Sequence, residues 1–169
     1  MEKIHFILTG GTIDSRWDGK ADTTVPLEHS TIPEYLKNLK LYLEFEFTEV
    51  CMKDSRSLNS DDLKAILNAV EGSGCKKIII THGTYTMPDT ARFLDANLKR
   101  KDQKIILTGS MAPLRGFDSS DGAFALGFAI ASFGHLSDGI HIAMNGRLFK
   151  AEEAAKNISE GKFYSVFEK

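Results

Sequence analysis

The sequence has few cysteines and no long block of like charges, and both features narrow the class of protein that it can be. The 169 residues include two cysteines, Cys51 and Cys75, without the CxxC or metal-ligand spacing of a zinc site. We predict that both are reduced thiols buried in the fold. The 21 basic and 23 acidic residues give a formal net charge of −2 without a long block of one sign. We therefore expect a small-molecule substrate, and neither nucleic acid nor a membrane as partner.

Long apolar runs are also missing, and no stretch is long enough to span a bilayer. Met1, Glu2 and Lys3 lead directly into a predicted strand, without the apolar stretch and small-residue cleavage site of a signal peptide. These absences predict a cytoplasmic location. What the chain does contain is 42% hydrophobic residues, which suits one domain with a substantial core.

Short apolar runs alternate along the chain with segments of helical periodicity. We predict buried strands at 5–8, 76–81, 104–110 and 139–144. Segment 41–51 alternates between apolar and acidic residues, which predicts a strand near a sheet edge. We predict helices at 32–39, 61–71, 88–98 and 121–133. This order predicts an α/β fold with three αβα layers, a Rossmann-like open and mostly parallel sheet in a single domain.

Three connecting segments carry predictions of their own. Residues 14–25 are polar and lack periodicity, which predicts a loop that acts as a lid or serves as an ordinary exposed connection. Asn145 and Gly146 predict a tight hairpin turn into a further strand. Residues 151–156 are predicted to form a helical turn or an ordered loop.

Hydroxyl side chains follow three of the predicted strands and point to nucleophilic chemistry. Two glycines precede Thr12, and the absence of a Cβ there lets another backbone or a ligand come close. Ser55 and Thr84 follow two other strands, and the carboxyl ends of parallel strands share one edge of a sheet. A hydroxyl nucleophile needs a base, for which three side chains are candidates: Lys156, Lys150 and His82. A histidine directly after a buried strand more often donates to a neighbouring carbonyl.

Several short motifs from end to end of the chain together resemble the amino-terminal domain of the L-asparaginase family. This family covers bacterial asparaginases and the asparaginase-like subunit of archaeal tRNA amidotransferases. The matching motifs are Thr9-Gly10-Gly11-Thr12-Ile13, Asp54-Ser55, Thr81-His82-Gly83-Thr84-x-Thr86-Met87, Leu107-Thr108-Gly109-Ser110-Met111-x-Pro113, Ser120-Asp121-Gly122 and Met144-Asn145. The first and third are the two signatures of the family.

The resemblance implies an amidohydrolase that uses no metal or other cofactor. Thr12 would attack a side-chain amide carbon, giving ammonia and an acyl-enzyme that water then hydrolyses. Thr84 matches the second catalytic threonine, and its lysine partner falls at Lys156, with Lys150 as a less favoured substitute. Backbone N–H groups at the glycine turn and at Thr84 would stabilise the oxyanion, an effect of about 3 kcal/mol per donor.

The resemblance also implies how a substrate would bind. Ser55 matches the residue that holds the α-carboxylate of the substrate. Four neighbours complete the predicted binding set: Gly11, Asp54, Gly83 and Tyr85.

Tyr85 departs from the family pattern, which has an aspartate there that orients the lysine and accepts the α-ammonium group. A neutral phenol cannot balance an ammonium, and losing a buried charge partner costs about 3–5 kcal/mol. The departure implies slower asparagine turnover or a preference for an amide without a free α-amino group. The family also has a tyrosine in the loop after the nucleophile, and residues 14–25 contain none.

Family members continue into a smaller carboxyl-terminal domain that completes the site of a neighbouring subunit, whereas this sequence ends at Lys169. We expect residues 1–169 to fold as one amino-terminal-type domain and to form a homodimer or a higher homo-oligomer. Two other functions stay open beside the amidohydrolase. One is a small-carboxylate binding or regulatory module that has lost turnover, and the other is a subunit that is active only with a separate partner chain.

Overall fold

The protein is an α/β structure in the computed structural model, which describes residues 3–168. Its strands are β1 (Lys3–Gly10), β2 (Ser15–Asp18), β3 (Thr23–Pro26), β4 (Glu44–Lys53), β5 (Lys77–Thr81), β6 (Lys104–Thr108), β7 (Gly139–Met144), β8 (Arg147–Lys150), β9 (Ala154–Asn157) and β10 (Lys162–Ser165). Its α-helices are α1 (Ile32–Asn38), α2 (Ser60–Gly72), α3 (Met87–Asn97) and α4 (Gly122–Ser132). Short 3-10 turns span Thr12–Asp14, Ser55–Ser57 and Phe133–His135.

Six strands form the central sheet in the order β4-β1-β5-β6-β7-β8. The first five run parallel, and β8 is antiparallel to β7. Asn145 and Gly146 form the turn between β7 and β8, both with positive φ as a tight hairpin requires. The predicted mostly parallel sheet, the hairpin and the edge position of β4 are all confirmed.

Helices cover both faces of this sheet, so the predicted three layers are confirmed. On one face, Ile32 and Leu36 of α1 and Leu126 of α4 pack against strand residues such as Phe6 and Ile79. On the other face, α2 and α3 bury Ile66, Val70, Ala91 and Leu94 against Ile78 and Ile80. The continuous β-branched run of β5 is therefore buried from both sides, as expected of a central parallel strand.

The loop predicted at 14–25 is wrong, and the prediction at 151–156 is correct only for the turn at 151–153, because both segments contribute strands to β-hairpins. The segment predicted as a loop at 14–25 contains β2 and β3, paired from Ser15↔Pro26 to Asp18↔Thr23. The segment predicted as a helical turn or loop at 151–156 contributes β9, which pairs with β10. Burial of Ala154 and Phe163 in the main core, with Phe163 against Phe149, holds this second hairpin to the sheet.

The structure describes the state of the two cysteines and the character of the helices. Cys75 is buried, Cys51 is half-buried, and both are free thiols. Within residues 3–168, no helix combines the length and apolar character needed to cross a membrane.

Candidate active site

Glycines allow three strand-end turns to stack against one another at the carboxyl edge of the sheet. Gly11 has φ of +80°, and a Cβ there would lie 2.4 Å from the Gly83 nitrogen. A Cβ on Gly83 would lie 2.6 Å from both Cβ and Oγ of Ser55. Contacts this short are impossible for any side chain, so glycine at both positions brings the turns after β1, β4 and β5 together.

Hydrogen bonds between the turns hold this stack in place. The Gly11 N–H donates to the Lys53 carbonyl at 2.9 Å, which joins the first turn to the end of β4. The Thr86 hydroxyl donates to the Ser55 carbonyl at 3.0 Å, which joins the second turn to the third. Because its N–H is already bonded, Gly11 does not offer the oxyanion donor expected at the glycine turn.

A cavity of about 180 Å³ opens where these turns meet. All eight residues that the sequence assigned to catalysis or binding line it, together with one that the sequence reasoning missed: Gly11, Thr12, Asp54, Ser55, Gly83, Thr84, Tyr85, Lys156 and the additional Arg56. Lys150 lies on β8 with an exposed side chain and does not line the cavity. The structure thus distinguishes the two candidate lysines by position.

Lys156 makes the closest polar contact in the cavity. Its Nζ lies 2.7 Å from Oγ1 of the buried Thr84. Partial burial, with a smaller effect from the nearby Arg56 guanidinium, lowers the pKa of Lys156 from its ordinary value. An amine that loses its proton more easily than usual is suited to accept one from a hydroxyl.

Thr12 lines the same cavity but has a different environment. It begins a 3-10 turn and is half-buried, and among residues 3–168 no hydrogen bond to its hydroxyl is formed. The turn is anchored through Asp14, whose buried carboxylate accepts the Ser30 hydroxyl at 2.6 Å and the Thr31 N–H at 2.9 Å. Burial raises the pKa of Asp14. The anchor leaves the Thr12 side chain free for a substrate.

Arg56, the residue missed by the sequence reasoning, connects Asp54 to Tyr85. Its Nε and Nη2 donate to the two carboxylate oxygens of Asp54 at 2.9 and 2.8 Å. Its guanidinium carbon lies 5.7 Å from the centre of the Tyr85 ring. The Tyr85 side chain is half exposed. The signal that could have identified Arg56 is its place two residues after Asp54 in a strand-end turn, where it can pair with that carboxylate.

His82 is a structural residue in this arrangement. It is fully buried, its Nδ1 donates to the Gly83 carbonyl at 2.8 Å, and its Nε2 lies 2.9 Å from the Thr90 hydroxyl. Because the carbonyl can only accept, Nδ1 carries the proton and Nε2 accepts from Thr90. Burial lowers the pKa of His82 to about 4. The ring therefore supports the turn below Thr84 and does not line the cavity.

The lining of one larger hollow contains no hydroxyl side chain and no lysine. The larger hollow between Trp17 and Phe117, about 600 Å³, is lined by aromatic rings, arginines and a glycine. Within the described part of the chain, no three His, Cys, Asp or Glu side chains are grouped so that they could hold a metal ion.

The family model "Asparaginase, N-terminal" matches residues 3–164 of the chain. L-asparaginase 2-3 of Saccharomyces cerevisiae is 31% identical over 158 residues, which cover 88% of this chain and 43% of that protein. A probable periplasmic L-asparaginase of Haemophilus influenzae is 27% identical over 92% of this chain and 46% of its own length. The chain spans about half the length of the curated relatives it matches.

Solved structures show the same fold. A probable cytoplasmic L-asparaginase from Campylobacter jejuni superposes with a TM-score of 0.84 at 23% identity, covering 99% of this chain and 54% of that one. The thermostable L-asparaginase from Thermococcus kodakarensis gives a TM-score of 0.82 at 25% identity, covering 99% and 52%. Together with the match over residues 3–164, these relatives show that the chain belongs to the asparaginase family and corresponds to its amino-terminal domain.

Proposed function

We propose that this protein hydrolyses the side-chain amide of a small amino-acid-like substrate and releases ammonia. The observation that carries the proposal is the 2.7 Å contact between Lys156 Nζ and Thr84 Oγ1 in the cavity that Thr12 also lines. Family membership supports the same reaction class, because the relatives are named as L-asparaginases and glutaminase-asparaginases.

Thr12 is the proposed nucleophile. Its Oγ1 forms a bond to the amide carbon, and its proton passes to the Thr84–Lys156 pair, whose amine has a lowered pKa. The C–N bond then breaks, and the nitrogen leaves as ammonia after taking up a proton. Water attacks the resulting ester and releases the acid, which regenerates the threonine hydroxyl. The N–H groups of Thr12 and Thr84 are the proposed oxyanion donors.

Ser55 is the proposed anchor for a substrate carboxylate. It is buried at the floor of the cavity, and its Oγ accepts the Thr86 N–H at 3.3 Å. Because the oxygen acts as acceptor there, the hydroxyl proton stays available for donation to an anionic oxygen. A carboxylate at Ser55 would place the remainder of a short substrate between Thr12 and Thr84.

The test is ammonia release by the purified chain from asparagine, glutamine and amides without an α-amine. We expect Thr12→Ala to abolish the release, because no acyl-enzyme can form. Ser137→Ala is a suitable control, since it removes an exposed hydroxyl just before β7, at the opposite edge of the sheet. Ammonia release that survives Thr12→Ala would remove the proposed mechanism.

A second candidate is a small-carboxylate binding module without turnover. It is favoured by the Thr12 hydroxyl, which among residues 3–168 contacts no base. This candidate predicts that succinate or aspartate raises the melting temperature while no amide yields ammonia. Hydrolysis that depends on Thr12 would exclude it.

The assembly and location of the protein remain proposals as well. A homodimer or higher homo-oligomer is supported by the exposed apolar side chains of one region, Leu39, Leu41, Tyr42 and Leu43. Light scattering on the purified chain tests it, and a second, different chain that co-purifies in equal amount would support the two-chain alternative. The cytoplasm is the proposed location, and recovery in a periplasmic or secreted fraction would contradict it.

A further inference from the structure

The charges that line the cavity are distributed unevenly. The ionisable side chains there are Asp54, Arg56, Tyr85 and Lys156. Asp54 supplies the carboxylate, and both of its oxygens are occupied. Oδ1 accepts the Arg56 N–H and Nε, both at 2.9 Å, and Oδ2 accepts Nη2 at 2.8 Å. Among the described residues that line the cavity, no carboxylate is free to receive a positively charged group.

Arg56 retains capacity to bind a ligand after this pairing. Its Nη1 has no hydrogen-bond partner within residues 3–168, whereas Nε and Nη2 are used by Asp54. The guanidinium lies 5.7 Å from the Tyr85 ring centre, and this stacking restricts its orientation. The Arg56 side chain is largely exposed but also lines the cavity, and a guanidinium edge held by Asp54 suits a carboxylate or carbonyl oxygen.

A substrate ammonium group would face two cationic side chains, Arg56 and Lys156, without a free counter-charge. Even if Lys156 is neutral, the guanidinium remains charged at any working pH. A ligand that carries a carboxylate and no ammonium meets the opposite situation, since Arg56 Nη1 and the Thr12 hydroxyl, which have no hydrogen-bond partner within residues 3–168, are available to donate to it. Repulsion of a ligand that carries an ammonium group and attraction of a carboxylate without one then act together.

We infer that Arg56 is a specificity-determining residue that selects small ω-amide acids without a cationic amine over α-amino acid amides. The monoamide of succinic acid, succinamate, is the simplest member of the selected class, and asparagine is its ammonium-bearing counterpart. The inference deepens the proposed amide hydrolysis and rests on it.

The experiment measures the ratio of kcat/KM for succinamate to kcat/KM for asparagine in the full chain and in Arg56→Gln. We expect the ratio to exceed one in the unmodified chain and to fall about tenfold or more in the variant. The variant removes the guanidinium charge and releases Asp54 to accept an ammonium. Arg115→Gln is the matched control, because it removes an exposed arginine that pairs with Glu34 outside this cavity.

A second variant separates specificity from a structural role. Arg56→Lys keeps the positive charge, so we expect it to preserve the preference for succinamate even if total activity falls. A general loss of folding would lower both substrates together and leave the ratio unchanged. An unmodified chain that prefers asparagine, or an Arg56→Gln ratio equal to that of Arg115→Gln, would overturn the inference.

Binding measurements keep the inference testable if no amide is hydrolysed, which would be the failure of the proposed function. Calorimetry then uses succinate and aspartate as probes with the same three proteins. We expect succinate to bind more tightly than aspartate, and the difference to disappear in Arg56→Gln but not in Arg115→Gln. Equal affinities in the unmodified chain, or no binding of either probe, would overturn the inference.

Discussion

The two threonines that line the cavity have contrasting surroundings. Thr84 is buried, and its hydroxyl lies 2.7 Å from the Lys156 amine. Thr12 is half-buried at the start of a short turn, and no hydrogen bond to its hydroxyl is formed among residues 3–168. Both positions follow a buried strand and a glycine, so the local sequences look alike. The difference arises from the elements that cover them.

The contrast shows that different elements hold the surroundings of Thr84 and of Thr12. On the Thr84 side, the β9–β10 hairpin supplies the lysine, and Arg92 of α3 donates to the Ala154 carbonyl at 3.0 Å to hold that hairpin. On the Thr12 side, the backbone is anchored through Asp14 while the side chain stays unpaired. If Lys156 is the base, as proposed, its existing contact with Thr84 reduces reorganisation during the reaction, and the unpaired Thr12 hydroxyl leaves room for the substrate.

The largest expected effect comes from removing the Lys156 amine that contacts Thr84. Lys156→Met removes the amine but keeps much of the apolar stem, so we expect kcat to fall by about 10²–10⁴. Lys150→Met is the matched control, because Lys150 is exposed and outside the cavity. Steady-state ammonia release measures both. Equal losses in the two variants would contradict the role of Lys156.

The buried His82, which supports the turn that carries Thr84, is expected to make the stability of the protein depend on pH. His82 has a pKa of about 4 in the fold, lowered by burial, against about 6.5 when unfolded. The unfolded chain therefore binds this proton first, and stability falls as the pH drops from about 6.5 to 4. Between neutral pH and pH values below 4, this proton lowers the free energy of unfolding by about 3 kcal/mol.

Urea unfolding from pH 7 to pH 4 checks this contribution. His82→Gln lacks the titrating group, so its free energy of unfolding falls less steeply over the same pH range. The difference in slope corresponds to about one proton taken up on unfolding. Parallel pH profiles for the two proteins would contradict the assignment.

The close approach of the turns after β4 and β5 depends on Gly83. A Cβ there would lie 2.6 Å from the Ser55 side chain and force the turns apart, so we expect Gly83→Ala to destabilise the protein by about 1–3 kcal/mol. Gly127→Ala is the control, because a Cβ at that α4 position meets nothing within 4 Å and adds helix propensity. Thermal melts measure both, and a neutral Gly83→Ala would show that the turns do not need this approach.

The smallest expected effect is a shift in the pH profile of activity. Lys156 must be neutral to accept a proton, so kcat/KM rises with pH through its pKa, which burial and then Arg56 lower. The other titratable groups of the cavity are Asp54 and Tyr85. Arg56→Gln removes a nearby positive charge, which raises the pKa of Lys156 and moves the acid limb to higher pH. A limb that stays in place or moves to lower pH would contradict this coupling.

The core strands and helices were predictable because their patterns are strong and local. The run Ile78–Ile80 and the helical spacing of Ile66 and Val70 describe buried faces that any sheet of this kind must cover. The two outer hairpins were not predictable. Segments such as Ala154–Asn157 are short and mixed in polarity, and they become strands because neighbouring elements bind them.

The site residues were predicted mainly from the resemblance in short motifs, and all eight line one cavity. Their proposed roles await the experiments above. Arg56 escaped prediction because an exposed arginine in a polar turn, as this one is, gives no signal in the sequence of what it contacts. Its place in the cavity depends on Asp54 and Tyr85, which are brought together from two different turns.

By itself the sequence determined the alternation of strands and helices, the glycine-bearing turns and the family resemblance, because these depend on residue type and local spacing. Only the tertiary structure decided that Lys156 and not Lys150 reaches Thr84, and that Arg56 in the turn after β4 lies against the Tyr85 ring in the turn after β5. The reason is physical. Both outcomes depend on the approach of segments far apart in the chain, and no local pattern encodes the distance between them.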